Sequence, residues 1–300
     1  MLLVVCPNLA IDRILQVDNL RPGAVQRSKQ AIVQPGGKGS NVARVFRQLG
    51  GEVALVGFTG ARDGRAVTAP LRRMGIHVDT ISAYDETRTC TIVCDSRPGS
   101  HPTVINEESP PIEPGAESRL LKTIDRWLQR VDGVLTTGSL SMGLSSELYA
   151  EILDRARGRG KITAIDATGV ALRVGLNARP DFMKPNTDEM REFLAGSMFS
   201  LLPPHSALTF GKAGALVIHQ GKCLYAPPPR ISTINPIGTG DAFAAGYLKS
   251  LLERRPAAEC LRLALAAAAS DARTLRPGCI DTSEITALKA AVELRFTPTR

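Results

Sequence analysis

Asn235-Pro-Ile-Gly-Thr-Gly-Asp-Ala-Phe-Ala-Ala-Gly246 is a glycine turn with an acid set where a helix begins. Gly238 and Gly240 can adopt backbone angles that expose successive N–H groups, and the helix that follows adds unpaired donors of its own. Such a turn holds an anion. Asp241 can orient or deprotonate a hydroxyl beside it. An acid in an anion-binding turn is electrostatically awkward unless a nucleophile has to meet a phosphoryl group there. The same residues also read as a plain helix start with Asp241 as its cap, so the assignment needs a second motif at a distance.

That second motif is Pro35-Gly-Gly-Lys-Gly-Ser-Asn41. The glycines let the backbone approach a ligand, and Gly37, Lys38, Gly39 and Asn41 can meet hydroxyl or phosphate oxygens. Lys38 also reads as an exposed turn cation. The full Walker spacing is absent, and no Gly-x-Gly-x-x-Gly follows the first strand, which excludes P-loop and dinucleotide-binding sites of those types.

Working outward, Leu2–Cys6 and Val53–Phe58 read as buried strands, separated by a helix that Ser40 or Asn41 can cap and Gly50-Gly51 stops. Ala66–Met74 reads as a helix and Val78–Ile81 as a strand. Ile11–Val17, Val25–Val33, Thr89–Cys94 and Thr103–Ile105 are extended pieces, expected either to meet as a small sheet outside the main body or to form surface hairpins. From residue 115 helix and strand alternate: helices Ala116–Arg130 and Ser146–Arg157, strands Gly133–Thr137, Lys161–Asp166 and Phe182–Lys184. Ala207–Phe210 and Ala215–His219 pair around a glycine turn, and helices Asp241–Leu252, Ala257–Asp271 and Thr282–Leu294 close the chain. This rhythm predicts a mainly parallel sheet covered on both faces, with ligands beyond the carboxyl ends of the strands.

Composition narrows the partners. The chain has 300 residues, 43% hydrophobic and 22% charged, enough for one large α/β domain. A formal charge of +8, spread along the chain, favours an anionic small substrate over a nucleic-acid surface, and 4% aromatic residues are too few for a stacking platform. The six cysteines include no CxxC pair and read as free thiols in a reducing cytoplasm. No apolar run reaches the roughly 18 residues of a membrane span.

Taken together, Asn8-Leu-Ala-Ile-Asp12, Gly36-Gly-Lys-Gly-Ser-Asn-Val-Ala-Arg44, Thr87-Arg88, Lys184-Pro-Asn-Thr-Asp-Glu189 and Asn235–Asp241 resemble, in family order, the ribokinase-like PfkB carbohydrate kinases. The resemblance is strongest to the branch holding 1-phosphofructokinase and tagatose-6-phosphate kinase. It implies a single ribokinase-like domain over residues 1–300, a three-layer α/β/α body with a mainly parallel sheet and a β-sheet lid from about 11–34 and 86–108. It also implies ATP and Mg2+ as cofactors. Asp241 is then the general base, with the amides of Gly238, Thr239 and Gly240 as the anion hole. Asp12 holds sugar hydroxyls, aided by Asn8, Gly37, Lys38, Gly39 and Asn41. Arg88 grips the phosphate already on the substrate, a task suited to a guanidinium fork; it also reads as an ordinary strand-face arginine. Asn106 adds a lid contact. Ser139 is a sugar or phosphate contact, or a simple strand-end turn. Asn186 and Glu189 organise magnesium through water, although the same stretch reads as a capping box. Lys184, Thr209, Gly211, Gly214, Gly238 and Gly240 line the nucleotide. Two positions depart from the family pattern: Phe210 stands where a serine or threonine usually precedes the glycine, and Leu9 stands where 1-phosphofructokinases have proline.

The expected reaction is fructose 1-phosphate plus ATP giving fructose 1,6-bisphosphate. The alternatives are a fructose-6-phosphate or tagatose-6-phosphate kinase, or a sugar-phosphate-binding protein without catalysis. The resemblance further implies a homodimer joined through the lid, with no nucleic-acid or membrane partner.

Overall fold

The structure, a computed structural model, describes residues 1–97, 99–195 and 202–297. In chain order the strands of the first half are β1 (Leu2–Asn8), β2 (Ala10–Val17), β3 (Gln30–Gly36), β4 (Val53–Gly60), β5 (His77–Tyr84), β6 (Thr89–Asp95) and β7 (Thr103–Asn106). Those of the second half are β8 (Gly133–Thr137), β9 (Ile162–Asp166), β10 (Phe182–Met183), β11 (His205–Thr209), β12 (Ala215–His219), β13 (Lys222–Ala226) and β14 (Arg295–Thr297). The helices are α1 (Lys38–Gln48), α2 (Gly64–Arg73), α3 (Ala116–Trp127), α4 (Leu148–Arg157), α5 (Gly169–Gly175), α6 (Thr187–Ala195), α7 (Thr239–Leu252), α8 (Ala257–Ala272) and α9 (Ile285–Ala290).

Two sheets result. The larger has ten strands in the order β14-β13-β12-β11-β10-β9-β8-β1-β4-β5. Every pair from β11 to β5 is parallel, and the β12, β13 and β14 edge is antiparallel. Along β1 the side chains alternate between two cores, as the pleat requires. Leu2, Val4 and Cys6 pack with α1, α2, α7 and α8, whereas Leu3 and Val5 pack with α3, α4 and α5. Strands buried on both faces explain why β1 and β4 read as continuous apolar runs. The expected three-layer α/β/α body with its β-sheet lid is therefore present.

The lid is the second sheet, ordered β3-β2-β6-β7. Its inner face buries Ile14, Ile32, Ile92 and Cys94, and Ile237 and Leu275 of the main body pack against them. Each such side chain removed from water contributes roughly 2 kcal/mol. The lid is thus seated in part on the glycine turn Asn235–Asp241, through Ile237.

Several boundaries differ from expectation. The segment expected from Val25 becomes a strand only at Gln30, because Pro22-Gly23 turns the chain and Val25 is left 99% exposed without a partner. Helix α1 starts at Lys38, two residues before the expected cap, since Gly37 takes a φ of +83° that turns the chain into the helix directly. The expected helix Thr282–Leu294 shrinks to α9, delayed by a turn in which Ser283 N–H bonds Asp281 Oδ1 at 2.9 Å. The sheet edge β13 and β14 and the short helix α5 were not expected. All six cysteines are free thiols. Among the described residues no helix is long and apolar enough to cross a membrane.

Candidate active site

Sheet order places the site. Asn8 ends β1, Ser139 follows β8, Asp166 ends β9, Lys184 follows β10 and Thr209 ends β11. These five strands are neighbours, so their carboxyl ends form one row. The two glycine turns overhang this row. Gly37, Lys38, Gly39 and Asn41 open α1, and Gly238, Thr239, Gly240 and Asp241 open α7.

Gly238 caps α7 at φ +91° without any side-chain cap. A Cβ there would lie 2.8 Å from Pro277 Cβ and 3.0 Å from Asp271 Oδ2, so only glycine fits. Among the described residues the Gly240 and Asp241 N–H groups have no backbone or side-chain acceptor, as expected of first-turn donors. A cation stands beside them: the Lys184 Nζ lies 3.4 Å from the position a Cβ would take on Gly240. This arrangement suits a multiply charged anion.

The carboxylate of Asp241 is buried, and burial lifts its pKa from 3.8 to about 6, against the pull of Lys38, Asn41 and Lys184. Asn41 Nδ2 donates to Asp241 Oδ2 at 2.8 Å. The orientation of that amide is fixed from behind, since its Oδ1 accepts from Arg44 Nη2 at 2.5 Å. Arg44, 3% exposed, also donates to the Pro35 and Pro277 carbonyls and so ties the first glycine turn to the segment that packs against Gly238. Sequence reading named Arg44 within the motif without giving it a task; its partners lie too far along the chain to be seen locally.

Asp166, expected as the last residue of a strand, ends β9 with its carboxylate buried. Its carboxylate takes Lys38 Nζ at 3.2 Å and Lys184 Nζ at 3.5 Å, and Lys38 reaches Glu189 Oε1 at 3.5 Å. Burial opposes charge on Asp166, yet Lys184 and Lys38 outweigh it and hold the pKa below the usual value. Burial likewise works against the Lys38 ammonium, and Asp166, Asp241 and Glu189 keep it above the ordinary lysine range. Removing both lysines would leave Asp166 an uncompensated buried charge, at a cost of about 3–5 kcal/mol.

Asp12 lies on β2, buried, its pKa raised from 3.8 to about 6 mainly by burial and opposed by Arg44 and Arg88. Arg88 sits where β5 leaves the body and β6 enters the lid. Its Nη2 donates to Asn8 O at 3.1 Å and its Nη1 to Glu107 O at 3.3 Å, while Asn8 Nδ2 donates to Ser139 Oγ at 2.8 Å. Asn8 Oδ1 and Arg88 Nε are both buried with no partner among the described residues. Orphaned polar atoms of this kind at a cleft point to a ligand. Asn106 is exposed and makes no side-chain hydrogen bond to the others; its neighbour Glu107 instead accepts from Thr89 N at 2.7 Å.

At the other end of the row, Asn186 and Glu189 form the capping box reciprocally, Asn186 N to Glu189 Oε2 at 2.8 Å and Glu189 N to Asn186 Oδ1 at 2.9 Å. Thr209 is bridged to Asn186, and its hydroxyl contacts Pro185 O at 3.4 Å. Gly211 and Gly214 bound a short turn, and a Cβ on Gly214 would lie 2.2 Å from Ala226 O. Among the described residues no three His, Cys, Asp or Glu side chains could cage a metal. Asn186 Oδ1 and the Glu189 carboxylate are oxygen donors, the type that suits a hard ion keeping its waters.

The sequence model described as pfkB family carbohydrate kinase matches residues 1–285. The chain belongs to this family. As a member it is a carbohydrate kinase, and use of ATP with Mg2+ is typical of the group. A tagatose-6-phosphate kinase of Staphylococcus epidermidis is 26% identical over 98% of this chain and 99% of its own. Among solved structures, a Thermotoga maritima protein described as "Possible 1-phosphofructokinase" superposes with a TM-score of 0.88 at 20% identity, covering 99% of this chain and all of that one. Escherichia coli phosphofructokinase-2 in complex with fructose-6-phosphate gives 0.84 at 20% identity, covering 96% and 98%. These likenesses fix the fold of the pfkB chain described above.

Proposed function

We propose that the protein transfers the terminal phosphoryl group of ATP to a hydroxyl of a ketohexose 6-phosphate, tagatose 6-phosphate or fructose 6-phosphate, giving the 1,6-bisphosphate. The observation that carries this reading is the pairing of two sites in one row: a buried carboxylate beside free amides at Asp241, and unpartnered Asn8 and Arg88 atoms at the lid junction. The first suits the reacting hydroxyl and phosphoryl group, the second a phosphate already present. Asp12, Lys38 and Asn41 take the role of hydroxyl contacts. The curated relative acts on a 6-phosphate, which shifts the reading from the fructose 1-phosphate expected at the start. Fructose 1-phosphate stays as a second reading, supported by the Thermotoga maritima likeness.

In the proposed mechanism Asp241 accepts the hydroxyl proton as the oxygen attacks phosphorus and the bond to the ADP oxygen breaks. The amides of Gly238 and Gly240 meet the charge on the phosphoryl oxygens, joined by Thr239 N–H once its long 3.4 Å bond to Pro236 O gives way. Lys184 and Lys38 add positive potential from below. Thr209, Gly211 and Gly214 flank the nucleotide. Asn186 and Glu189 would hold Mg2+ through water, where the ion offsets phosphate charge. Lid closure excludes water that would otherwise accept the phosphoryl group.

The test is a substrate panel with ADP release measured. A 6-phosphate should exceed its unphosphorylated sugar in kcat/KM by about a hundredfold, the scale of charge-assisted hydrogen bonds. Fructose 1-phosphate as best substrate would reverse the regiochemistry, and indifference to the phosphate would remove the task assigned to Arg88.

The outer lid face supports a dimer proposal. Val33 is 59% and Ile105 62% exposed on the two edge strands of the lid, with part-buried Leu15 and Val93 on the strands between them. A pair of chains joined there would cover them. A Val33→Lys, Ile105→Lys double variant should sediment as monomer where the native protein sediments as dimer; a native monomer ends the proposal.

A further inference from the structure

Asp63 occupies the N-cap position of α2 and makes no side-chain cap hydrogen bond. An acid at that position ordinarily accepts from the first turn of its helix and stabilises it. Here both carboxylate oxygens turn away to Thr87. The Thr87 N–H donates to Oδ1 at 2.8 Å and to Oδ2 at 3.1 Å, and the Thr87 hydroxyl donates to Oδ1 at 2.7 Å. That hydroxyl in turn accepts from Gly60 N at 2.9 Å. Gly60 is required for the approach: a Cβ there would lie 2.5 Å from the Glu86 backbone and from Thr87 N. Thr87 is 4% exposed.

The latch sits where the main sheet hands the chain to the lid. Gly60 ends β4, Asp63 precedes α2, and Thr87 lies between β5 and β6. The next residue is Arg88. Its carbonyl accepts from Ile11 N of the lid at 2.9 Å, and its guanidinium reaches Asn8 and Glu107. Arg88 is thus fixed on the lid side by Ile11 and on the body side through Thr87. A helix left uncapped so that a carboxylate can hold one threonine is difficult to explain by stability of α2.

We propose that Asp63 is a positioning residue for the acceptor's phosphate site: through Thr87 it sets the register and reach of Arg88. The inference rests on the reading of Arg88 as the phosphate ligand. Asp63 itself touches neither substrate nor the reacting atoms. Loosening the latch lets the hinge strand drift, and a guanidinium displaced by about 1 Å loses up to about a hundredfold in recognition. The loss belongs to phosphosugar binding and not to the phosphoryl step.

The experiment compares steady-state kinetics of the full chain with the best 6-phosphate of the panel and with its unphosphorylated sugar. Asp63→Ala should raise KM for the phosphosugar by about tenfold or more, leave KM for ATP unchanged and leave the unphosphorylated sugar unaffected. Thr87→Ser, which keeps every donor, should behave as native, and Thr87→Val should follow Asp63→Ala. This pair carries the test should Asp63→Ala not fold. A phosphosugar KM within twofold of native in the latch variants, with Arg88→Ala raising it strongly, overturns the latch while sparing the clamp. An unchanged KM in Arg88→Ala overturns the clamp itself. Equal loss on both sugars marks the latch as merely structural and overturns the proposal.

Discussion

Asp241→Asn should lower kcat by about a thousandfold while nucleotide and phosphosugar still bind measurably, and it should raise the melting temperature at neutral pH. The two effects share one cause. Asp241 is buried in the first turn of α7 and its only side-chain hydrogen bond among the described residues comes from Asn41, which leaves the other oxygen for a hydroxyl. Asparagine keeps the shape and can keep that bond, but it cannot take a proton. The charge removed is also a costly one. The folded-state pKa is about 6 against 3.8 for the free group, with burial as the main cause. Above pH 6 both folded and unfolded chains are ionised and the folded one bears the full penalty, on the order of 3 kcal/mol. Between 6 and 3.8 the folded state takes up the proton and the penalty fades. The stability gain of the variant should therefore be largest at pH 7 and above and vanish toward pH 4.

The pH–rate profile checks the same assignment from the other side. Asp12 also titrates at about 6. If both carboxylates act ionised in the free enzyme, log(kcat/KM) falls below pH 6 with a slope approaching two, and the residual activity of Asp241→Asn falls with a slope of one. Native-like turnover in the variant, or an acid limb that it leaves unaltered, ends the base role for Asp241.

What the sequence made legible follows the range of the physics. Local signals carried the parallel core: β1 and β4 are apolar runs because both faces are buried, and the two glycine turns announce themselves because only glycine tolerates their backbone. The antiparallel edge was read as far as β12; its continuation was missed since Lys222–Ala226 mixes charge with half-buried positions and earns its pairing only beside β12. The turns and strand ends that the structure brings into one row could be named singly from the sequence, but not their wiring. Asp166 meets lysines from two distant turns, Arg44 joins Pro35 to Pro277, and Asp63 looks like a helix cap until Thr87 is seen against it. None of those pairings leaves a periodic trace. Asp271 was read only as the end of a helix. It is 1% exposed behind Gly238, with its pKa pushed well above the usual value by burial and one oxygen accepting from Cys279 N at 2.9 Å.

Gly36→Ala should be the most damaging single methyl group in the acceptor half of the site. On β3, Gly36 pairs with Ala10, and a Cβ there would lie 2.0 Å from Asp12 Oδ1 and 2.9 Å from Asp12 N. Rotating the carboxylate relieves the first contact. The second involves backbone and needs the strands to part. The expected result is an acceptor KM raised by about a hundredfold, an unchanged KM for ATP, and a stability loss of about 1–3 kcal/mol for overpacking. A double-mutant cycle decides whether the loss runs through Asp12. In an Asp12→Ala background, already weak for sugar, Gly36→Ala should add little to the acceptor KM. Full additivity would place the damage in the lid strands instead, and a native acceptor KM in the single variant would separate Asp12 from the sugar altogether.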